Sequence, residues 1–77
     1  MEQMLYTVAE TSKILKTNSS YVYNLIKLGF LPAIKLGSYK IRKSTLENFL
    51  QEYENKDLTD LKNIKELERK WNQWKEN

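Results

Sequence analysis

Apolar residues recur at steps of three and four positions in the first part of the chain, which predicts helices that each bury one face. The first helix is expected from about Val8 to Leu15. It follows a capping box, in which Thr7 and Glu10 can each accept a backbone N–H. Its core-facing positions are Val8, Thr11, Ile14 and Leu15.

A second helix is predicted after a short break at residues 16–18. Asn18 or Ser19 can serve as its N-cap, and Gly29 suits the left-handed position just beyond its end. Its core-facing positions are Val22, Leu25 and Ile26. Two helices joined by so short a break predict a helix-turn-helix.

A β-hairpin, here called the wing, is predicted after Pro32. Residues 33–36 and 39–42 can pair through Gly37-Ser38, a two-residue turn with glycine at its first central position. In that register Leu36 is opposite Tyr39 and Lys35 is opposite Lys40. One face of the wing is then expected to hold Lys35, Lys40 and Arg42, and the other Ile34, Leu36, Tyr39 and Ile41.

A third helix is predicted from a second capping box, Ser44-Thr45-Leu46-Glu47. Its apolar stripe is Leu46, Phe49, Leu50 and Tyr53. The pattern weakens at residues 55–57. The predicted fold is therefore mainly α, a winged helix-turn-helix at residues 1–54 (two helices, a two-stranded wing and a third helix) followed by a separate tail.

The tail, residues 55–77, is predicted to form an amphipathic C-terminal helix, either separate from the third helix or continuous with it. Its apolar positions after Leu58 are Leu61, Ile64, Leu67, Trp71 and Trp74. Because so short a helix is marginal alone, this stripe is expected to have a partner. Three alternatives remain open: packing on the same chain, pairing with a second copy, or binding another protein such as a recombinase.

Composition narrows the class of protein. The chain has 77 residues, 40% of them hydrophobic, which allows one small domain. It contains no Cys and no His, so disulfides and the usual zinc sites are excluded. No cofactor is expected. No apolar run reaches membrane-spanning length and the N-terminus does not resemble a signal peptide, so a cytoplasmic protein without membrane contact is expected.

The charge is unevenly distributed along the chain, whose formal net charge is +3. No acidic residue occurs between Glu10 and Glu47. The basic residues in that interval are Lys13, Lys16, Lys27, Lys35, Lys40, Arg42 and Lys43. Such a single-sign stretch indicates a polyanionic partner, most commonly nucleic acid, with a solvated lysine-rich surface as the alternative.

The outward side of the second helix is the first candidate site. Helical rotation places Ser20, Tyr23, Asn24 and Lys27 together, away from the core. An Asn amide can pair with adenine and a Ser hydroxyl with several bases, although the same side chains also suit an ordinary solvent-exposed face.

The wing is the second candidate site. Its cations can bind phosphate, which positions a protein on DNA without specifying sequence. The alternative is that they protect a strand edge from pairing.

Residues 5–50 resemble the excisionase-like helix-turn-helix family, relatives of the MerR-type DNA-binding domain. The resemblance lies in YTVAE…ILKTNSS, VYNLIKLGFLPAIKLG, YKIRKS and LENFL, of which LIKLG-x-LPAIK-x-G is the most specific part. It implies double-stranded DNA binding, with the second helix in the major groove and the wing on the backbone or in the minor groove. It implies a recognition set of Ser19, Ser20, Tyr23, Asn24 and Lys27, and wing contacts at Lys35, Ser38, Lys40 and Arg42.

The chain departs from the family pattern at two places. Family members commonly have Gly at the position of Lys16. They also often have arginines early in the second helix, where this chain has Ser19, Ser20 and Tyr21. Fewer cations there predict weaker phosphate binding and a shallower dependence on salt.

The expected function is sequence-specific DNA binding, as an architectural factor of the excisionase type in a phage or mobile element. A small dimeric transcriptional regulator or a plasmid accessory protein is the alternative. A protein-interaction module acting through the tail belongs to a different class. An enzyme is not expected, because neither a nucleophile–base pair nor a phosphate-binding glycine loop is evident.

Overall fold

A three-stranded antiparallel sheet and three helices form the main part of the fold, in a computed structural model that describes residues 4–67. The sheet order is β1-β3-β2, and β4 and β5 form a separate pair. The elements are β1 Leu5–Thr7, α1 Val8–Ile14, α2 Ser19–Lys27, β2 Ile34–Leu36, β3 Ser38–Arg42, α3 Lys43–Glu52, β4 Lys56–Asp57 and β5 Lys65–Glu66. This architecture is consistent with the predicted winged helix-turn-helix.

The N-terminal caps of α1 and α2 are confirmed. Thr7 Oγ1 accepts the Glu10 N–H at 3.0 Å, and the Thr7 N–H donates to Glu10 Oε1 at 2.9 Å. Asn18, rather than Ser19, caps α2, because its Oδ1 accepts the Tyr21 N–H at 2.8 Å. These side chains bind backbone donors that have no partner within the helix.

Two residues with left-handed backbone conformation shape the helix-turn-helix, one beyond its second helix and one in its turn. Gly29 has φ +86° beyond the end of α2, as its sequence position predicts. Lys16 has φ +58° in the turn between α1 and α2, and the Thr17 N–H next to it donates to the Ser12 carbonyl at 2.8 Å. The turn thus adopts a conformation that suits glycine, although a lysine occupies it.

The core contains residues from every element from α1 to α3 except β2. Its buried apolar members are Val8, Val22, Leu25, Leu31, Ile41, Leu46 and Phe49. Ile14 and Leu50, which the sequence placed toward the core, are instead 43% and 47% exposed. Both lie at the margin of an apolar stripe that is narrower than the periodicity predicts.

Strand β1 was not predicted. It pairs with β3, placing Leu5 opposite Arg42, Tyr6 opposite Ile41 and Thr7 opposite Lys40. The three residues of β1 are too few to show an alternating pattern, so the strand depends on its partner rather than on local sequence. Its effect is to make β3 the central strand and to attach the wing to the N-terminus.

The register of the wing differs from the prediction. Leu36 is opposite Ser38 and Lys35 is opposite Tyr39, so Gly37 alone occupies the tip, with φ +81°. Facing residues share one side of a sheet, and a shift of one residue moves a strand's side chains to the other side. The register found separates Lys35 from Lys40 and avoids facing two like charges.

Helix α3 begins without the predicted capping box at Ser44. It starts at Lys43, directly after β3, and Arg42 at the N-cap makes no side-chain capping bond. The Lys43 N–H donates to the Met4 carbonyl at 2.8 Å. A backbone partner on the β1 side therefore satisfies a donor of the first turn, and the strand continues into the helix.

The predicted tail helix is wrong over residues 55–67, the part of the tail that the structure describes. Strands β4 and β5 pair there, with Lys56 opposite Glu66 and Asp57 opposite Lys65. Of the predicted stripe, Leu58 and Leu61 pack against the core cluster, Ile64 is half-buried and Leu67 is 54% exposed. Trp71 and Trp74 lie outside the described residues.

Candidate nucleic-acid interface

The exposed side of α2 displays polar side chains because its opposite side is fixed in the core. Val22 and Leu25 have no exposed surface at all. On the other side, the predicted residues Ser20, Tyr23, Asn24 and Lys27 are all exposed and lie together. These four residues are here called the reading face. Ser19, the remaining member of the predicted set, is half-buried at the first position of the helix. This side offers hydroxyl, amide and ammonium groups to a ligand.

The wing cations lie on two faces rather than one. Ser38, Lys40 and Arg42 share the face that holds Ile34 and Leu36, and Lys40 Nζ donates to Ser38 Oγ at 2.7 Å. This is the outward face, because Ile34 and Leu36 are 41% and 58% exposed.

Lys35 lies on the other face of the wing, with Tyr39 and the buried Ile41. Its Nζ is 5.0 Å from the centroid of the Tyr39 ring, within the range of a cation–π interaction. Of the three predicted wing cations, Lys40 and Arg42 therefore face outward. Lys35 lies on the side of the wing that meets α2.

Tyr39 connects the wing to α2, a role that the sequence did not predict. Its ring meets the Tyr23 ring edge to face, with 6.2 Å between centroids and 65° between planes. Lys35, Tyr39 and Tyr23 thus form a continuous contact from the wing to the reading face. The sequence placed Tyr39 on the apolar side of the wing but gave no sign of which helix it would meet.

The segment after α3 lies against the other flank of α2. The Tyr21 hydroxyl donates to the Leu58 carbonyl. Partial burial raises the pKa of Tyr21 by disfavouring the phenolate, and the negative charge of Asp57 raises it further. The neutral hydroxyl that donates to Leu58 is therefore the favoured form.

Residues 58–62, here called the flank loop, are organised by aspartate side chains. Asp57 Oδ1 accepts the Thr59 N–H at 2.9 Å, and Asp60 Oδ1 accepts the Lys62 N–H at 3.1 Å. Hydrogen bonds from the side chain and then the backbone of Thr59 lower the pKa of Asp57; desolvation opposes them, and the charge of Lys65 lowers the pKa further. Such aspartate turns favour this loop over a helix.

A cleft of about 440 Å³ separates α2 from the flank loop. Asn24 and Lys27 line it from α2, and Thr59, Asp60 and Lys62 line it from the loop. The sequence did not predict this cleft, because it expected a helix at residues 58–62. Two residues of the predicted reading face are thus next to a second surface.

Residues 4–67 lack two further classes of site. No group of three or more acidic side chains there could hold a metal ion, and no helix there is long and apolar enough to cross a membrane.

A protein-family model described as a helix-turn-helix domain matches residues 5–53, the span from β1 to just beyond α3. No curated protein and no solved structure matches the chain. The matched span includes the two flanking helices of the turn, the whole wing and every residue of the predicted recognition set.

Proposed function

The chain belongs to the helix-turn-helix family of excisionase-like DNA-binding domains, and we propose that it recognises a specific sequence in double-stranded DNA. In this proposal α2 enters the major groove, where base edges differ most between base pairs. The wing lies on the adjacent backbone or in the minor groove. DNA binding follows from the family; the orientation, the contacts and the sequence specificity are the proposal.

The observation that supports the proposal most strongly is the exposed side of α2. Ser20, Asn24 and Lys27 are exposed on it, while the core holds the helix from behind. Asn24 can donate to and accept from adenine, and Ser20 can bond to several bases. Lys27, at the last turn, suits a phosphate or a guanine. Ser19, at the first turn, completes the set through a phosphate contact.

The wing supplies contacts that position the protein without specifying sequence. Lys40, Arg42 and Ser38 are directed outward together and suit phosphates on one strand. Lys35 lies on the α2 side of the wing, above Tyr39, so it is assigned a phosphate between the groove occupied by α2 and the one touched by the wing. The Tyr23–Tyr39 contact holds these two elements at one spacing.

The biological role proposed is that of an architectural factor in the excision of a phage or mobile element, acting in the cytoplasm. A small transcriptional regulator or a plasmid accessory factor is the second candidate. The arrangement of binding sites distinguishes them: direct repeats beside a recombination site favour an architectural role, and a palindrome over a promoter favours a dimeric regulator. Helix-turn-helix domains of this family are typically non-enzymatic, and no catalytic role is proposed.

Partners other than DNA are assigned to the end of the chain. Leu61 packs against the core cluster and is removed from the predicted interface. Leu67, which is 54% exposed, is proposed together with Trp71 and Trp74 as a contact for a second copy or a recombinase. Pairing of two copies on DNA would double the number of bases contacted.

The direct test is selection of bound duplexes from a random pool, followed by footprinting of the selected sequence at two salt concentrations. A discrete footprint that weakens steeply with salt, and is lost in Asn24→Ala and weakened in Lys40→Gln, supports the proposal. Lys65→Gln, which removes an exposed lysine of β5, is the matched control. Absence of any enriched sequence at low salt would overturn sequence-specific binding.

A further inference from the structure

We infer that the flank loop is a second DNA-contacting element, in which Lys62 binds a backbone phosphate on the side of α2 opposite the wing. The inference rests on the proposed insertion of α2 into the major groove. It adds a contact outside residues 5–53, the span matched by the family model. It also implies that the negative charge of Asp60 weakens DNA binding.

The first argument is the arrangement of contacts around α2. Successive residues rotate by about 100°, so Tyr21 and Tyr23 point about 160° apart by the shorter path around the helix axis. Tyr23 meets the wing and Tyr21 meets the flank loop. Ser20, Asn24 and Lys27 lie between them. The reading face is thus bordered by the wing on one flank and by the flank loop on the other.

The second argument is that the flank loop is held in place. The Tyr21 hydroxyl donates to the Leu58 carbonyl, and Leu58 and Leu61 pack against the core cluster. The β4–β5 pair closes the segment, and the Leu67 N–H donates to the Asn55 carbonyl at 2.7 Å. A loop fixed at both ends loses little conformational freedom when it binds, so contacts made by its side chains are not offset by ordering.

The third argument is the chemistry of the cleft. Lys27 and Lys62 provide ammonium groups from its two sides. These are groups that commonly bind DNA phosphates. A major groove has a phosphate strand along each edge, and the wing is assigned to one of them. The cleft is next to the reading face on the flank where the other strand would pass.

Asp60 lies in the same cleft and carries the opposite charge. Its Oδ1 accepts the Lys62 N–H at 3.1 Å, so it shapes the loop, while its charge opposes an approaching phosphate. An Asn side chain retains the accepting oxygen and removes the charge. Asp60→Asn and Lys62→Gln are therefore expected to change DNA affinity in opposite directions.

The test measures the affinity of the 77-residue protein for its selected duplex over a range of salt concentrations. Lys62→Gln should weaken binding about 3- to 10-fold and make the slope of log affinity against log salt shallower by about 0.9, the value for one phosphate contact. Asp60→Asn should tighten binding about 2- to 5-fold, as expected for removal of one like charge near a phosphate. Lys65→Gln and Glu54→Gln are matched controls for the lost positive and negative charges, and each should change affinity less than 2-fold.

Phosphate ethylation interference locates the contact. The phosphates whose modification no longer matters in Lys62→Gln should lie across the major groove from those released in Lys40→Gln. If Lys62→Gln behaves as Lys65→Gln does while the wild type binds DNA specifically, the inference is wrong and the proposed function stands. If the wild type binds no duplex, both are wrong. Thermal unfolding of each variant shows that a loss of affinity is not a loss of fold.

Discussion

The ring of Tyr23 on α2 packs edge to face against the ring of Tyr39 on β3, with their centroids 6.2 Å apart. Lys35 Nζ lies 5.0 Å from the centroid of that Tyr39 ring. This contact joins the wing to the reading face, and in the proposed binding mode the two elements meet DNA together. We expect the pair to stabilise the fold by more than the burial of the two rings alone would.

A double-mutant cycle tests this coupling. Tyr23→Leu and Tyr39→Leu retain apolar bulk but remove the aromatic pair, which should be worth about 0.5–1.5 kcal/mol in the free energy of unfolding. The measurement is urea denaturation of both single variants and the double variant. Strictly additive effects would show that the two rings do not stabilise one another.

Lys16 should destabilise the fold, because its backbone adopts a left-handed conformation. It has φ +58°, where an L-residue with a side chain costs roughly 1–2 kcal/mol relative to ordinary helical backbone and glycine does not. Lys16→Gly should therefore raise the free energy of unfolding by about 1 kcal/mol, less the greater entropy of glycine in the unfolded chain. Denaturant titration measures the change.

Lys16→Ala is the control, because it removes the charge but retains the Cβ. It should give no comparable gain. Equal stabilisation by Gly and Ala would attribute the effect to charge rather than to the left-handed conformation.

The hydroxyl of Thr11 is buried without a hydrogen-bond partner among residues 4–67. Thr11→Val replaces it with a methyl group of similar size, so the variant should be more stable by about 1 kcal/mol, the scale of the cost of an unsatisfied polar group. Ser12→Ala is the contrasting variant, because Ser12 Oγ donates to the Ala9 carbonyl at 2.7 Å. It should be unchanged or less stable. Destabilisation by Thr11→Val would contradict the assignment.

The flank loop should detach from α2 at alkaline pH. The pKa of Tyr21 is raised in the folded protein, so the stabilisation from its neutral hydroxyl is complete below pH about 10, the pKa of an unfolded Tyr, and is lost as pH rises through the folded value. Fluorescence of a label on Asn63→Cys can report the detachment.

Tyr21→Phe cannot donate to Leu58, so this variant should show a detached loop at neutral pH. It should show no further change in the pH range where Tyr21 of the wild type loses its proton. The difference between the two proteins isolates the contribution of Tyr21 from other effects of alkaline pH. Identical profiles would show that the Tyr21–Leu58 hydrogen bond does not hold the loop.

The sequence predicted the elements whose signals are local. The capping residues Thr7, Glu10 and Asn18 and the left-handed Gly29 behave as expected because each acts within one helical turn of its position. The apolar periodicity likewise identified Val22 and Leu25 as core. The candidate reading face on α2 followed directly, since the residues opposite the core must be exposed.

The remaining features depend on contacts between distant residues. The pairing of β1 with β3 fixes which face of β3 is buried, and with it the register that separates Lys35 from Lys40. At residues 58–67 the leucine spacing of a helix coincides with the aspartate turns of a loop, and the Tyr21–Leu58 contact favours the loop. No local pattern contains that information. This is why the sequence did not predict the cleft beside Lys27.

The most direct test of the central claim compares affinity for the selected duplex with affinity for random duplex at one salt concentration. We expect Asn24→Ala to lower this ratio by a factor equivalent to about 1–3 kcal/mol of binding free energy, the discrimination lost at one base pair. Lys40→Gln should weaken both affinities equally. That result would establish α2 as the element that recognises sequence and the wing as the element that positions it. A ratio near one for the wild type, or a ratio unchanged by Asn24→Ala, would contradict the account.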